Sequence, residues 1–302
     1  MKREHVRHEL TVRHLRVLAR RELTPSMVRI TLGGTGQGGA QQADGAELAG
    51  ADGLDGFASL GPSDHVKVFF PDPATGIVTA PSISADGVHR PTDGIVISRD
   101  YTPRAFRAAA DGVPAELDVD FVLHGAPGSR AEAETADGGP ASAWAAAASV
   151  GDPLAIAGPR GSRLAPDDAA HAVLIADETA LPAFSRWLEL LPATTRITAI
   201  LDVANEDTEH YLTDAQRARA SIEWTYREDG SGQLEESVRS LGPIDSDTYV
   251  WAAGEATTLV PVRRHLRRTL GLDHDQLTVE GYWRRGITNL DHHAPIDPSD
   301  PD

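Results

Sequence analysis

Apolar and polar positions alternate through the first half of the chain and then change rhythm. Leu10-Thr-Val-Arg-His-Leu-Arg-Val-Leu18 and Met27-Val-Arg-Ile-Thr-Leu32 alternate in part, and Leu23-Thr-Pro-Ser26 between them carries turn chemistry. That pattern predicts an antiparallel hairpin. Residues 64–70, 94–99 and 116–124 read as further short strands, separated by Gly- and Pro-punctuated loops such as 75–93. Short strands so spaced predict a small antiparallel barrel, drawn here with six strands. From His171 the pattern changes. Short apolar runs at 171–176, 196–203, 221–226, 248–253 and 277–282 flank stretches of helical spacing, 179–191 and 260–270. In the first of these, Leu181, Phe184, Trp187 and Leu188 share one face. Strands alternating with helices make a parallel doubly wound sheet. The predicted class is therefore β + α/β, an antiparallel six-stranded β-barrel followed by a parallel doubly wound α/β domain.

Domain limits follow from the same reading: 1–165 for the barrel, 166–287 for the α/β domain, and 288–302 as a disordered acidic tail rich in Asp and Pro. Two Gly-, Ala- and acid-rich segments, about 33–56 and 126–137, lack periodicity and read as flexible insertions. With 302 residues and 40% hydrophobic content, the chain is long enough for two cores. It contains no cysteine, which excludes thiolate chemistry and cysteine-held clusters, so redox work needs an organic cofactor or a substrate's own metal. The charged start and the lack of any long apolar window predict a cytoplasmic protein without membrane insertion. A net charge of −17 argues against nucleic-acid binding. It also makes arginine clusters informative, because an anionic ligand would need a local basic pocket.

One such cluster is Ile97-Ser-Arg99-Asp-Tyr101-Thr102-Pro-Arg104. Alternation sends Arg99 and Tyr101 to one face of a strand. A guanidinium fork can hold two phosphate oxygens, and a tyrosine ring can lie flat on a conjugated heterocycle. An edge-strand ladder of solvated charges is the plainer reading of the same peptide. Further on, Gly138-Gly-Pro-Ala141-Ser142-Ala-Trp144 runs into strong helix formers, which places a helix start near Ser142. Such an end, with a hydroxyl beside free N–H groups, suits an anion. A simple capped helix would look alike. In the second half, ligands of a doubly wound sheet bind at the carboxyl ends of strands, here Asp177-Glu178-Thr179 and Gly254-Glu255. Arg263, Arg264, Arg267 and Arg268 form i,i+4 pairs on the last helix, as either a solvated end or an anion-facing patch. The 12 histidines are scattered, so no metal site is expected.

The strings R-x-Y-T-x-R at 99–104, H-G at 124–125, G-P-A-S-x-W-A at 139–145, D-E-T-A-L-P-A at 177–183 and Y-W-R-R-G at 282–286 resemble successive blocks of the siderophore-interacting proteins, the ferric-siderophore reductases of the wider ferredoxin-reductase group. The resemblance covers nearly the whole chain apart from the two insertions and the tail. It implies a flavoenzyme in which FAD passes electrons to ferric iron held by a siderophore, with NAD(P)H or reduced ferredoxin as donor and ferredoxin as an alternative partner. It implies no catalytic acid, base or nucleophile. Arg99, Tyr101, Thr102, Arg104, His124, Ala141, Ser142 and Trp144 would line the flavin, with Tyr101 and Thr102 tuning its ring. Asp177, Glu178, Thr179, Gly254 and Glu255 would face a nicotinamide cofactor, although two carboxylates beside its phosphates would repel them. Arg264, Arg268, Tyr282, Trp283 and Arg284 would meet the substrate. A generic NAD(P)H:flavin oxidoreductase or electron-transfer flavoprotein, and a non-catalytic flavin- or siderophore-binding module, are the alternatives.

Overall fold

The computed structural model describes residues 1, 3–34, 51–124, 139–230, 232–288, 290, 295–297, 299 and 300. The chain divides into two units, His5–Arg163, and Leu164–Asp302 together with Met1–Glu4.

In the first unit seven strands pair antiparallel in the order Ile97–Tyr101, Val66–Phe70, Pro153–Ala157, Val12–Thr24, Met27–Gly33, Glu116–Val122 and Pro103–Arg107. The two outermost strands are sequence neighbours with only Thr102 between them. The sheet must therefore curl until its ends meet. They are two halves of one strand bent at Thr102-Pro103, and counting it once gives the six strands expected. Pro103, which has no N–H to place in a ladder, suits the corner where pairing passes from Val66 opposite Tyr101 to Val119 opposite Pro103.

Sequence alternation fixes which side of each strand is buried. Along Glu116–Val122, Leu117, Val119 and Phe121 enter the core. On the other face, Asp118 accepts two bonds from Arg107 at 2.8 Å and Asp120 two from Arg29 at 2.7 Å. The predicted hairpin forms as Val12–Thr24 against Met27–Gly33. The expected insertion at 126–137 lies outside the described residues, as does most of that at 33–56. The end of the latter is ordered, contrary to expectation: Ala51–Asp52 pairs with Arg13 and His14, and Leu54 is buried in the core beside the start of the next segment at Phe57.

The second unit holds a five-stranded parallel sheet in the order Ser221–Tyr226, Arg196–Val203, His171–Asp177, Thr248–Glu255 and Leu277–Trp283. The chain leaves the central strand His171–Asp177 toward one edge and returns on its other side. The topological switch therefore lies between the carboxyl ends of His171–Asp177 and Thr248–Glu255. The helix Ala256–Arg264 starts at that end and carries the chain back to the opposite edge, where the π-turn His265–Thr269 closes it. Arg264 and Arg268 consequently sit far from the switch.

The described part of 288–302 is packed, where composition predicts disorder. Ile296 joins the core, and Asp297 and Asp300 pair with Arg264 and Arg268. Asp297 and Asp300 each have a specific arginine partner, which an average over composition does not register. Among the described residues no helix is long and apolar enough to cross a membrane.

Candidate functional site

The barrel site is assembled around a pair of phenylalanines. On Ile97–Tyr101, Asp100 faces Lys67 directly across the ladder at 2.8 Å, whereas Ile97 and Tyr101 pack on the core. Arg99 lies on the same side as Tyr101 by alternation and donates to the Ser98 carbonyl at 2.7 Å. The Tyr101 ring stands 4.4 Å from that of Phe121 and 6.2 Å from that of Phe70. Burial pushes its phenol well above the ordinary value, against a smaller opposing pull from Arg99, so the hydroxyl stays protonated.

The helix Gly139–Ala147 packs on Ile97–Tyr101, Val66–Phe70 and Glu116–Val122 and brings Trp144 to 5.4 Å from Phe70 and 5.7 Å from Phe121. It begins at Gly139, whose φ of +69° suits a glycine, rather than at Ser142. Ser142 is thus in the first turn, buried beside Ala141, and its oxygen accepts the His124 backbone N–H at 2.8 Å. Tyr101 and Trp144 thus meet on Phe121 and Phe70, Ser142 of the same helix holds the His124 backbone, and Arg99 and buried Thr102 adjoin Tyr101 along the strand. Arg104 stands past the bend, on the face of Phe106.

A second cluster lies at the switch point, where Asp177, Asp202, Arg227, Gly254, Glu255, Trp283 and Arg285 line a crevice. The Asp177 carboxylate accepts from Thr179 N at 2.9 Å, Thr179 Oγ1 at 2.5 Å, Glu255 N at 2.9 Å and Trp283 Nε1 at 2.8 Å. It thereby ties together the ends of three strands. Gly254 makes room for it: at φ +151°, a Cβ there would lie 2.7 Å from the carboxylate. Burial, and then the neighbouring Glu178, push Asp177 up to about 6 against the pull of Arg227 and these donors. Glu255 caps its own helix, its Oε2 accepting from Thr258 N at 2.6 Å. The two helix-start positions where phosphate would sit in such a sheet already hold carboxylates of the chain.

Arg227 pairs with Glu178 and donates to the Asp202 carbonyl at 2.5 Å. Burial works against its charge, but Glu178, Asp177 and Asp202 more than compensate and hold it firmly protonated. Sequence reasoning missed Arg227. The available signal was its place, the first residue after the alternating strand Ser221–Tyr226, at the carboxyl end of a parallel strand.

Trp283 and Tyr282 lie at the end of the last strand, near the crevice in the case of Trp283. The other residues expected to meet substrate do not join them. Arg264 donates to Asp297 at 2.7 Å, Arg268 pairs with Asp300, and Arg284 donates to the Ile296 carbonyl at 2.8 Å. All three hold the chain's own C-terminal segment.

Residues 16–163 match the siderophore-interacting FAD-binding domain, and residues 169–286 match the siderophore-interacting protein family. The chain belongs to the siderophore-interacting proteins. It is 31% identical over 283 residues to the NADPH-dependent ferric-chelate reductase of Escherichia coli, covering 93% of this chain and 96% of that one. Ferric vibriobactin reductase ViuB of Vibrio cholerae is 30% identical over 254 residues, covering 82% of this chain and 85% of the relative. The crystal structure of a siderophore utilization protein from T. fusca superposes with a TM-score of 0.77 at 37% identity, over 97% of this chain and 100% of that one. The barrel residues lie within the first matched region and the crevice residues within the second.

Proposed function

We propose that this siderophore-interacting protein is an FAD-dependent reductase of ferric siderophores, with a nicotinamide dinucleotide as its electron donor. The observation that carries the reading is the meeting of Tyr101 and Trp144 on Phe70 and Phe121, with Arg99 on the strand of Tyr101 and Ser142 on the helix of Trp144, inside a matched FAD-binding domain. These residues fit a flavin dinucleotide. Among the described residues Arg99 donates one N–H to the Ser98 carbonyl, and the rest of its fork suits phosphate oxygens. Ser142 accepts from His124 and still has its own proton to donate. Tyr101, kept neutral by burial, offers an aromatic surface and a hydroxyl donor without adding charge beside the isoalloxazine ring.

When bound, the flavin takes up two electrons as a hydride and returns them singly, which one-electron ferric acceptors require. The protein's task is to bind and orient: the barrel strand and the helix grip the cofactor, and the switch-point crevice receives the donor. Naming NADPH as that donor draws on the E. coli relative's own designation. Reduction weakens the chelator's hold on the metal and frees iron from siderophores already imported, a role that suits the cytoplasm. The deciding experiment is anaerobic. The purified protein is expected to show a flavin spectrum, to bleach on addition of NADPH, and to recolour on addition of a ferric siderophore, with one ferrous ion trapped per electron. A colourless protein that binds no added FAD would overturn the reading.

A further inference from the structure

Arg227, which lines the crevice at the sheet's switch point, is a half-buried cation among several acids, and the acid it pairs with is only half satisfied. Glu178 is 9% exposed. Its Oε1 accepts from Arg227 Nη2, while its Oε2 is buried with no hydrogen-bond partner among the described residues. Around this pair stand the carboxylates of Asp177 and Asp202, the latter 3.5 Å from Arg227, and across the crevice Glu255 and Arg285. A buried carboxylate with an unpaired oxygen and two like-charged neighbours is held at a cost in free energy. It is therefore the group most readily displaced. Asp177 is fixed by four donors and Asp202 by Thr225 at 2.8 Å and by Arg227, so neither can give way as easily.

We propose that Arg227 is the phosphate-reading residue of the crevice and that Glu178 is its internal stand-in anion, which a phosphate of the nicotinamide dinucleotide must displace in order to bind. This rests on the reading that such a dinucleotide is the donor. A phosphate arriving at Arg227 restores the bidentate charge pairing that guanidinium favours and releases Glu178 to solvent. Until then Glu178 both blocks the cation and repels the newcomer. The arrangement sets affinity by competition: the site rejects ligands whose phosphate cannot match the contact it breaks.

The test is calorimetric titration of the FAD-loaded protein with NADP+ and, separately, NAD+. Glu178→Gln removes the competing charge without emptying the space, and about tenfold tighter NADP+ binding is expected from one unit charge at contact distance in a partly screened site. Arg227→Gln should weaken binding at least as strongly. The double variant should match Arg227→Gln alone, because Glu178 acts through Arg227. If only NADP+ responds, Arg227 reads the 2′-phosphate; if both respond, it reads the diphosphate. Glu178→Gln that binds NADP+ no tighter than the parent protein overturns the inference, and does so independently of whether Arg227→Gln folds. The donor reading is judged separately by bleaching of the parent's flavin with NADPH. Bleaching without a Glu178→Gln gain leaves that reading standing and removes the inference, whereas no bleaching and no NADP+ binding by any variant removes both.

Discussion

Arg99 and Tyr101 stand two residues apart on one strand face, and their contributions to flavin retention should be separable. Tyr101→Ala removes a ring packed 4.4 Å from Phe121, and Arg99→Ala removes the fork; each is expected to yield mostly colourless protein when absorbance near the flavin maximum is compared with protein concentration. Arg99→Lys keeps the charge but not the planar geometry, so intermediate flavin content is expected. Full flavin in both alanine variants would remove the strand from the site. At the second site Gly254→Ala must fit a Cβ 2.7 Å from the Asp177 carboxylate at a φ of +151°. A loss of roughly 2–3 kcal/mol in denaturant unfolding of the second unit is expected, from strain and a disrupted carboxylate network. Individual residues were legible in the sequence where chemistry and strand alternation agreed, as for Arg99 and Tyr101. Arg227 was not, because a lone arginine after a strand carries no local pattern. The partners of Arg264, Arg268 and Arg284 were hidden for a related reason: they come from a segment whose composition reads as unstructured.

Elements were easier to read than their joints. Arg196–Val203 and Ser221–Tyr226 run between the residues expected, since mostly apolar RITAILDV and alternating SIEWTY, each bounded by polar turns, leave little choice. Pro153–Ala157 and the helix Gln233–Ser240 gave no comparable signal, being short and in part polar, and were not anticipated. The corner at Thr102-Pro103 was also missed, because a bent strand looks locally like two short ones. The acidic face of Glu116–Val122 is an element-scale device. It pins three strands by Arg29–Asp120 and Arg107–Asp118 pairs while the opposite face fills the core. Asp120→Ala leaves the half-buried Arg29 without its bidentate acceptor. Chemical denaturation of the barrel should show a loss on the order of 3 kcal/mol, far more than the same change at a solvated surface pair such as Arg20–Glu22.

At the scale of the whole molecule, the two units should answer acid differently. Asp177 binds its proton more tightly folded than unfolded, being pushed up to about 6 by burial and by Glu178, and burial moves Asp202 in the same direction. The stability this proton brings is complete below the ordinary aspartate value of about 4 and is lost as pH rises through about 6. In the barrel, burial would raise Asp118, but Arg107, Thr31 and Arg29 together bring it below the ordinary value. Its contribution is present at neutral pH and fades only under stronger acid. Calorimetric melting is therefore expected to show the second unit's transition moving upward from pH 7 to pH 5 while the barrel's stays nearly level. A downward shift of the second transition over that interval would count against the placement of Asp177.

The first four residues belong with the second unit, although some 160 positions separate them from it in the sequence. Arg3 donates to the Leu164 carbonyl at 2.7 Å and to the Tyr249 hydroxyl at 3.1 Å, and its guanidinium lies 4.9 Å from the Trp187 ring centroid. Just beyond, His5–Arg7 and Gly161–Arg163 zip together, so the barrel's own entry and exit are side by side. A protease that trims the amino terminus would thus be felt as exposure of Trp187 on the helix Leu181–Leu190 of the second unit, readable by its fluorescence, and the barrel would keep its fold.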